Sequence, residues 1–274
     1  MTDREGSPGL PVARQMRRGL RAVRTEAPDG LLPGVLERVG LTDQYVELRG
    51  PIGPIFVAYG ARGISSVERA GDPADFEASF RARFGRPVRR AAQAPEKLTR
   101  AVRARLGGDR GADVPLDLAT LTPFERDVLA KTAEIPHGEV RPYAWVAREI
   151  GRPRAVRAVG SALANNPVPF VVPCHRVVRS DGVIGQYGAG GPASKRAVLA
   201  AEGLDAGELE RLARAGVRYL ASNTTGVFCY PTCRHARRIT PQHRVPLRSG
   251  GDAAVGGFRP CRVCRPAPDL DRVA

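Results

Sequence analysis

The distribution of the cysteines constrains this chain more than any other feature of its sequence. Cys229 and Cys233 are separated by three residues, Cys261 and Cys264 by two, and Cys174 stands alone in the middle of the chain. Two close pairs and a single thiol do not resemble a disulfide framework, and both spacings fall in the range of tetrahedral zinc sites. The sequence therefore predicts a four-thiolate metal site and one separate, special thiol, in a reducing compartment.

Two histidines, His235 and His243, lie between the cysteine pairs, together with a Gly-rich stretch, SGGDAAVGG, that is typical of a loop. Four thiolates complete a tetrahedral zinc shell, so we expect neither histidine to bind the ion. A unit that is so short and rich in loops should draw much of its folding free energy from the metal. A purely structural zinc site is the simplest interpretation.

The charge balance indicates a polyanionic partner. Lys and Arg number 43 against 28 Asp and Glu, which gives a formal charge of +15. Nucleic acid is the first candidate and an anionic membrane surface the second. Codon bias explains the preference for Arg over Lys but not the net excess. No stretch approaches the ~20 apolar residues of a membrane span, and MTDREGSPG lacks the apolar core of a signal peptide, so we expect a soluble, cytoplasmic protein.

The pattern of apolar residues predicts an α+β fold. Residues 31–115 contain three alternating segments, QYVELRG, IFVAYG and GISSVER, which predict an antiparallel sheet, and two helical segments, FEASFRARFG and EKLTRAVRARL. A helical, winged-helix-like domain is predicted over residues 116–204 and a small zinc-bound domain over residues 222–267. The flanking parts are a basic segment (1–30), a linker (205–221) and a tail (268–274).

Helix signals in the second unit predict a helix-turn-helix. Thr122 and Glu125 form a capping-box signature before FERDVLAKTAEI. Two shorter helices are predicted over Tyr143–Ile150 and Arg154–Ala164, an arrangement that often presents its second helix to DNA. The alternative is an αα-hairpin that only packs a core. Arginines interleaved with Ala and Gly on the second helix favour DNA, because small residues let a groove approach closely.

The lone thiol lies in an apolar run, VPFVVPCHRVV, from Val168 to Val178. A buried segment with adjacent Cys, His and Arg is costly unless those groups have partners or a function. An isolated Cys is most often an inert buried thiol. Here His175 follows Cys174 directly, and basic surroundings lower a thiol pKa from about 8.5 toward the nucleophilic thiolate. The sequence therefore predicts a reactive thiolate at Cys174.

The segment PCHRV, Pro173–Val177, together with RAVG, NNPVP, GQYGAGG and AAEG, resembles the O6-alkylguanine-DNA alkyltransferases over about Leu31–Gly203. The resemblance implies a methylated-DNA–protein-cysteine methyltransferase, which moves an alkyl group irreversibly from guanine O6 to its own cysteine. Cys174 would be the acceptor, His175 would take the thiol proton through a water, and Glu202 would orient His175. No cofactor is implied for this transfer.

The resemblance also assigns residues to DNA and to the base. Tyr143 would contact the 3′ phosphate and donate toward guanine N3, Arg157 would fill the space of a flipped base, and Asn166 would couple the recognition helix to the active-site strand. Tyr187, Gly188 and Val177 would line the base pocket, although the family often has Ser where this chain has Gly188. Arg154, Ala155 and Gly160 would face the minor groove of double-stranded DNA. We expect a monomer.

The C-terminal segments NTTGVFCYPTCRHARRIT and GFRPCRVCRP resemble the Ada-type zinc domain. The resemblance implies one zinc ion held by the four cysteines, with Cys229 as a second methyl acceptor that repairs methyl phosphotriesters. From Ser222 onward the chain has nine Arg and three Asp, which suits a phosphate backbone. Methylating one thiolate would reduce the charge of the metal cluster from about −2 to about −1 and so reduce its repulsion of DNA.

Two alternatives to repair stay open from the sequence. One is a DNA-binding sensor that flips alkylguanine without repairing it, which the presence of Cys174 disfavours. The other is a zinc-dependent transcriptional regulator. Only Leu204–Leu220 separates the two resembling units, too short for the helix-turn-helix module of the family's regulator, and the zinc unit comes last.

Overall fold

The computed structural model describes residues 35–36 and 38–266. The predicted basic segment 1–30 and the tail 268–274 lie outside these residues. Three units follow one another along the chain, two with sheets and a helical one between them, as the α+β prediction requires. Within the described residues, no helix is long and apolar enough to cross a membrane.

The first unit is a four-stranded sheet of order β3-β2-β1-β4. The strands are β1 (Asp43–Gly50), β2 (Gly53–Gly60), β3 (Gly63–Arg69) and β4 (Val88–Arg90). The first three pair antiparallel, which confirms the predicted meander, whereas β4 pairs parallel to β1 in a stretch where no strand is predicted. The missed strand has only three residues, too few for an alternating pattern.

Helix α1 (Pro73–Phe84) covers one face of this sheet. Its Phe76 and Phe80 are buried, and the Phe76 ring lies 4.9 Å from that of Tyr45 on β1. Asp72 caps the helix by accepting from the backbone of Ala74. The predicted helix EKLTRAVRARL follows as α2 (Glu96–Leu106).

A buried ion-pair network ties the first unit to the chain that follows it. Arg86 donates to Asp43 on β1 and to Asp117, with N–O distances of 2.9 Å. Asp43 also accepts from Ser65 on β3. Because an unpaired buried charge is costly, these pairs fix where the chain enters the helical unit.

The helical unit begins with α3 (Pro123–Ala133), whose capping box of Thr122 and Glu125 is present as predicted. It continues with α4 (Tyr143–Glu149), α5 (Val156–Ala164) and α6 (Gly191–Ala201). Two short strands, β5 (Arg141–Pro142) and β6 (Val177–Val178), pair parallel between these helices.

Helices α4 and α5 form the predicted helix-turn-helix, but α5 begins two residues later than expected. Arg154 and Ala155 belong to the turn, because the Ala155 amide donates to the carbonyl of Arg152 and Ala155 has a non-helical φ of −87° and ψ of 26°. Gly151 lies in the left-handed region, with φ 72°, which ends α4 sharply.

The C-terminal unit is a second four-stranded sheet, of order β10-β8-β7-β9. Its strands are β7 (Tyr219–Ser222), β8 (Val227–Cys229), β9 (Arg244–Leu247) and β10 (Arg259–Pro260). The predicted linker 205–221 is structured, because it contains α7 (Ala206–Arg214) and most of β7.

The expectation of a loop over SGGDAAVGG is wrong. Helix α8 (Gly250–Val255) lies there, and a reciprocal capping box of Ser249 and Asp252 starts it. The capping box satisfies backbone N–H groups at the start of this helix, where two glycines contribute little helix stability. The unit is therefore less dependent on loops than its composition indicates, and its Tyr219, Leu220 and Phe228 join the core of the helical unit.

Candidate functional site

Cys174 is positioned by a tight reversal of the chain after α5. Phe170 has a positive φ of 71°, and the Val172 amide donates to the carbonyl of Val168. Asn166 holds this reversal, since its side chain accepts from Val168 and donates to the carbonyl of Val172. The same amide lies 3.2 Å from Sγ of Cys174. Asn166 therefore joins the end of the second helix to the thiol.

The thiol is reachable although it is buried. Cys174 is 8% exposed and lines a cleft of about 390 Å³. The cleft also includes Gly188 and two arginines of the first unit, Arg69 and Arg83, which the sequence analysis did not single out. Arg83 donates to the backbone carbonyl of Asn165, so the sheet unit contributes positive charge to the rim. These arginines reach the cleft only because segments that are distant in sequence pack together.

The Nε2 side of the His175 ring faces Glu202. The distance from Nε2 of His175 to Oε1 of Glu202 is 2.8 Å. Burial lowers the pKa of His175, and the contact with Glu202 only partly opposes this effect. The imidazole is therefore neutral, with its Nε2 proton directed at the carboxylate and Nδ1 left as a lone pair. Nδ1 has no hydrogen-bond partner among the described residues, so it is available to accept a proton.

Glu202 is ionised despite its burial. Burial works against the charge, but hydrogen bonds from His175 and Arg176 outweigh it and lower the pKa of Glu202 to about 2. Arg176 donates to both carboxylate oxygens, and the Gly138 amide adds a further donor. The expectation that Glu202 orients His175 agrees with this geometry.

The expectation of a preformed thiolate is wrong. Burial raises the pKa of Cys174 above the ordinary 9.0, and the opposing contacts with Asn166 and Lys195 do not cancel it. Adjacency in sequence misled the prediction, because burial, which adjacency does not reveal, has the largest effect on the pKa of this thiol. The resting thiol is neutral and must lose its proton during the reaction.

Lys195 is a site residue that the sequence analysis missed. It is fully buried and donates from Nζ to the carbonyls of Val177, at 2.6 Å, and Gln186, at 3.2 Å. Burial lowers the pKa of Lys195 to about 8. Its spacing could have revealed it, because Lys195 shares the apolar face of α6 with Val198 and Leu199 at helical intervals.

The two tyrosines occupy different positions. Tyr143 begins α4, and burial, with a contribution from Cys174, raises its pKa, so the phenol is protonated. Tyr187, predicted to line the base pocket, is buried and is not among the residues that line the cleft, and its ring lies 6.1 Å from that of His175. Val177 lies in β6 and does not line the cleft, which corrects its predicted place in the pocket. Strand pairing with Arg141 turns its side chain into the core.

The predicted DNA-facing residues lie on an accessible surface. Arg154 and Arg157 are exposed, and Ala155 and Gly160 are half-buried. No described atom lies within 4 Å of the position that a Cβ would take at Gly160. The turn and the second helix thus present one arginine each beside an open backbone surface, as close approach to a DNA groove requires.

The four C-terminal cysteines come together as predicted. Their sulfur atoms all lie within 4.8 Å of one another, and all four residues are buried. A tetrahedral zinc site with Zn–S bonds of about 2.3 Å places its sulfurs about 3.8 Å apart, so the cluster fits one ion. His235 and His243 are not part of it, and His243 instead contacts the side chain of Asn223. These ligands leave no vacant position in the tetrahedral shell.

A second cleft opens beside this cluster. It has a volume of about 470 Å³ and contains Cys229 and Cys261 but neither of the other two ligands. Three arginines, Arg238, Arg259 and Arg262, line the same cleft. Two of the four buried ligand residues thus lie at the wall of a cleft that carries positive charge suited to an anionic backbone.

Comparison with known proteins matches both parts of this architecture. A family model described as the 6-O-methylguanine DNA methyltransferase DNA-binding domain matches residues 123–204. A model described as the metal-binding domain of Ada matches residues 210–267. The first range contains Cys174 and Glu202, and the second contains all four clustered cysteines.

Similar proteins align with this chain over only part of their own length. The methylated-DNA–protein-cysteine methyltransferase of Mus musculus is 50% identical over 86 residues, which are 31% of this chain and 41% of the mouse protein. The Mycobacterium tuberculosis protein of the same name is 47% identical over 90 residues, 33% of this chain and 53% of that protein. The chain therefore spans about half, or less, of the length of these relatives.

Among solved structures, one alignment is longer than these and another is of similar length. M. tuberculosis OGT in complex with DNA aligns at 31% identity and a TM-score of 0.46, covering 58% of this chain and 92% of that one. S. pombe Atl1 in complex with damaged DNA containing O6-carboxymethylguanine aligns at 34% identity and a TM-score of 0.28, covering 30% and 77%. Because the two family models fall on the buried thiol and on the four-cysteine cluster, the chain belongs to the 6-O-methylguanine DNA methyltransferase family and carries an Ada-type metal-binding domain.

Proposed function

We propose that this chain repairs DNA by transferring an alkyl group from guanine O6 to Sγ of Cys174, once per molecule. The observation that carries the proposal is a thiol at the wall of an open cleft, held by Asn166 and followed by a neutral His175 that Glu202 orients. The likeness to methylated-DNA–protein-cysteine methyltransferases supports the same activity. In the reaction, the S–C bond forms while the C–O6 bond breaks, and guanine leaves with the electron pair.

The thiol proton passes to His175 in this proposal. Nδ1 carries a free lone pair, and a bridging water would connect it to Sγ. The ionised Glu202 stabilises the imidazolium that results, since it lies 2.8 Å from Nε2. Because burial raises the pKa of the Cys174 thiol, the proposal has the thiol lose its proton to His175 during the transfer.

In this proposal Tyr143 donates a proton to the guanine that leaves. Its phenol is protonated, because burial raises its pKa, and it would donate toward N3 of the departing guanine. Lys195 lies nearby, with Nζ 6.0 Å from the centre of the Tyr143 ring. Its hydrogen bonds to the carbonyls of Val177 and Gln186 tie strand β6 to the loop that precedes α6.

The DNA is expected to bind along the helix-turn-helix. O6 is inaccessible inside a duplex, so the damaged base must leave the stack, at a cost of a few kcal/mol. The exposed Arg157 would occupy the vacated space, and Arg154, Ala155 and Gly160 would face the minor groove. We also propose that the protein acts as a monomer in a reducing, cytoplasmic compartment. The five cysteines, none of which forms a disulfide, agree with such a compartment.

The stoichiometry provides a direct test of this function. A thioether is a poor electrophile, and no described side chain at the cleft is suited to activate it. Duplex DNA with a radiolabelled O6-methylguanine should transfer about one label per molecule and then stop. Cys174→Ser should accept none. Continued turnover beyond one equivalent, or full transfer to the serine variant, would contradict the proposal.

A second activity, repair of methyl phosphotriesters at Cys229, is favoured by the arginine-lined cleft beside the metal cluster. The bound zinc ion would keep its four thiolates ionised at neutral pH. Of the four, only Cys229 and Cys261 line the cleft, and Arg238, Arg259 and Arg262 are placed to receive phosphates. Cys229 is the acceptor in the Ada resemblance and lies at the wall of this cleft, although it is only 1% exposed.

The sensor and regulator alternatives make different predictions. A sensor would bind duplex containing O6-methylguanine tightly and leave the methyl group on the DNA. A regulator would protect a preferred promoter sequence after methylation of the metal cluster. A label recovered on Cys174, with no preferred footprint, would argue against both.

A further inference from the structure

The metal-binding domain packs directly on the first helix of the helix-turn-helix. The Thr232 hydroxyl accepts from the Val140 amide at 2.9 Å, and the Arg234 amide donates to Glu139 at 2.9 Å. Val140 and Thr232 are both buried. Hydrophobic residues of β7 and β8 share one core with α4 and α5. The two units therefore form a continuous interface next to the residues that begin α4.

Arg265 is the contact that depends most directly on the metal loop. It follows the ligand Cys264 and has a positive φ of 47°, which a non-glycine residue adopts only when its surroundings impose it. Its amide donates to the carbonyl of the ligand Cys261 at 2.9 Å. The turn that carries two ligands thus fixes both the backbone and the direction of Arg265.

The Arg265 side chain reaches α4. Its guanidinium lies 2.6 Å from Glu149 and 5.7 Å from the centre of the Trp145 ring, while Arg148 donates to its carbonyl. Glu149 ends α4, where a negative charge is unfavourable to the helix dipole, so a cation there stabilises the last turn. A helix of only seven residues has little stability of its own and depends on such contacts.

Arg141 makes the interface from the other side. It is 2% exposed, pairs with Glu139, and lies between two rings, 5.8 Å from Trp145 and 5.6 Å from Tyr230. It lies on β5, which pairs with the strand after the acceptor turn (Cys174–Arg176) and leads into Tyr143. Trp145, 3% exposed, is therefore packed between one arginine from each unit.

We propose that the metal-loaded Cys261–Cys264 turn orders the helix-turn-helix through Arg265, which acts as a positioning residue for the O6 transfer. Loss of the metal frees the turn, withdraws Arg265 from Glu149 and Trp145, and loosens α4. The recognition helix α5 and Tyr143 then lose their fixed support. This inference rests on the proposed function for its consequence in repair, whereas the structural coupling itself can be tested without any transfer.

Trp145 makes the test possible because it is the only tryptophan of the chain. In the full-length protein, chelation of zinc should shift Trp145 emission to longer wavelength and speed amide exchange over residues 143–149 about tenfold, as a coupling of ordinary size predicts. Re-adding zinc should reverse both changes. With zinc in excess, Arg265→Met should reproduce both changes, and Arg265→Lys should recover part of the difference because it keeps the charge.

Arg248→Met is the matched control, since Arg248 is an exposed arginine of the same domain. It should leave emission and exchange as in the wild type. In single-turnover transfer, Arg265→Met should raise the DNA concentration that gives half the maximal rate about tenfold, with little change in the maximal rate. Unchanged emission and exchange after zinc removal, or in Arg265→Met, would overturn the inference. Absence of transfer by the wild type would overturn only the proposed function.

Discussion

Nε2 of His175 lies 2.8 Å from Oε1 of Glu202, and this contact determines which face of the imidazole can do chemistry. The carboxylate, ionised through its hydrogen bonds with His175 and Arg176, accepts the Nε2 proton. Nδ1 is left with a lone pair in a buried setting close to the acceptor turn. The pair therefore provides a neutral base at physiological pH beside a thiol that holds its proton.

Replacement of this base should slow transfer without weakening DNA binding. We expect His175→Gln to reduce the single-turnover rate at pH 7.5 by roughly 10²–10³-fold, the usual contribution of a positioned base. Burial lowers the pKa of His175, so the wild-type rate should decrease only at acidic pH, where Nδ1 becomes protonated. Quench experiments with labelled duplex measure both. A rate within threefold of the wild type would remove His175 from the mechanism.

Because of Glu202, the free energy of unfolding should decrease at acidic pH. Its pKa is about 2 in the folded protein against an ordinary 4.5, so its contribution is complete above pH 4.5 and is lost as the pH decreases toward 2. The difference corresponds to roughly 3 kcal/mol of unfolding free energy. Urea titrations should show this loss in the wild type and a flatter profile in Glu202→Gln. Parallel profiles for the two proteins over this window would contradict the assignment.

Arg157 should matter only when a base must leave a duplex. Arg157→Ala should raise the duplex concentration for half-maximal transfer about tenfold, because nothing then offsets the unstacking cost of a few kcal/mol. Single-stranded DNA with the same lesion should react as with the wild type. Arg211→Ala, an exposed arginine of α7, is the matched control. Equal losses on both substrates would assign Arg157 to general phosphate binding.

The two acceptor sites should be separable. Cys229→Asp retains an anionic ligand that zinc accepts, so the metal should stay bound. We expect this variant to take no methyl group from phosphotriester DNA while its transfer to Cys174 stays within about twofold of the wild type. Metal content is the control. If metal-loaded Cys229→Asp lost both activities together, the two sites would not be independent.

Local chemistry made much of the fold predictable. The two residues Thr122 and Glu125 are enough to predict a capping box, and the structure contains it. The spacing of Cys229, Cys233, Cys261 and Cys264 defines their cluster, since the ligand geometry of zinc tolerates few alternatives. These signals act over a few residues or through a strict coordination geometry.

Features that depend on distant packing were not predictable in the same way. The raised thiol pKa of Cys174 follows mainly from its burial, not from the adjacency of His175 in sequence. The approach of Arg83 to the cleft and of Arg265 to Trp145 depends on how separate units pack. Lys195 is the intermediate case, because its helical spacing indicated burial but not its two carbonyl partners.

The most direct test of the central claim is to locate the transferred methyl group. Protein incubated with duplex containing O6-methylguanine is digested, and its peptides are analysed by mass spectrometry. The account predicts one added methyl group on the peptide that contains Cys174, with unmodified guanine left in the DNA. A methyl group that stays on the DNA, or is found on another residue while Cys174 is unchanged, would contradict it.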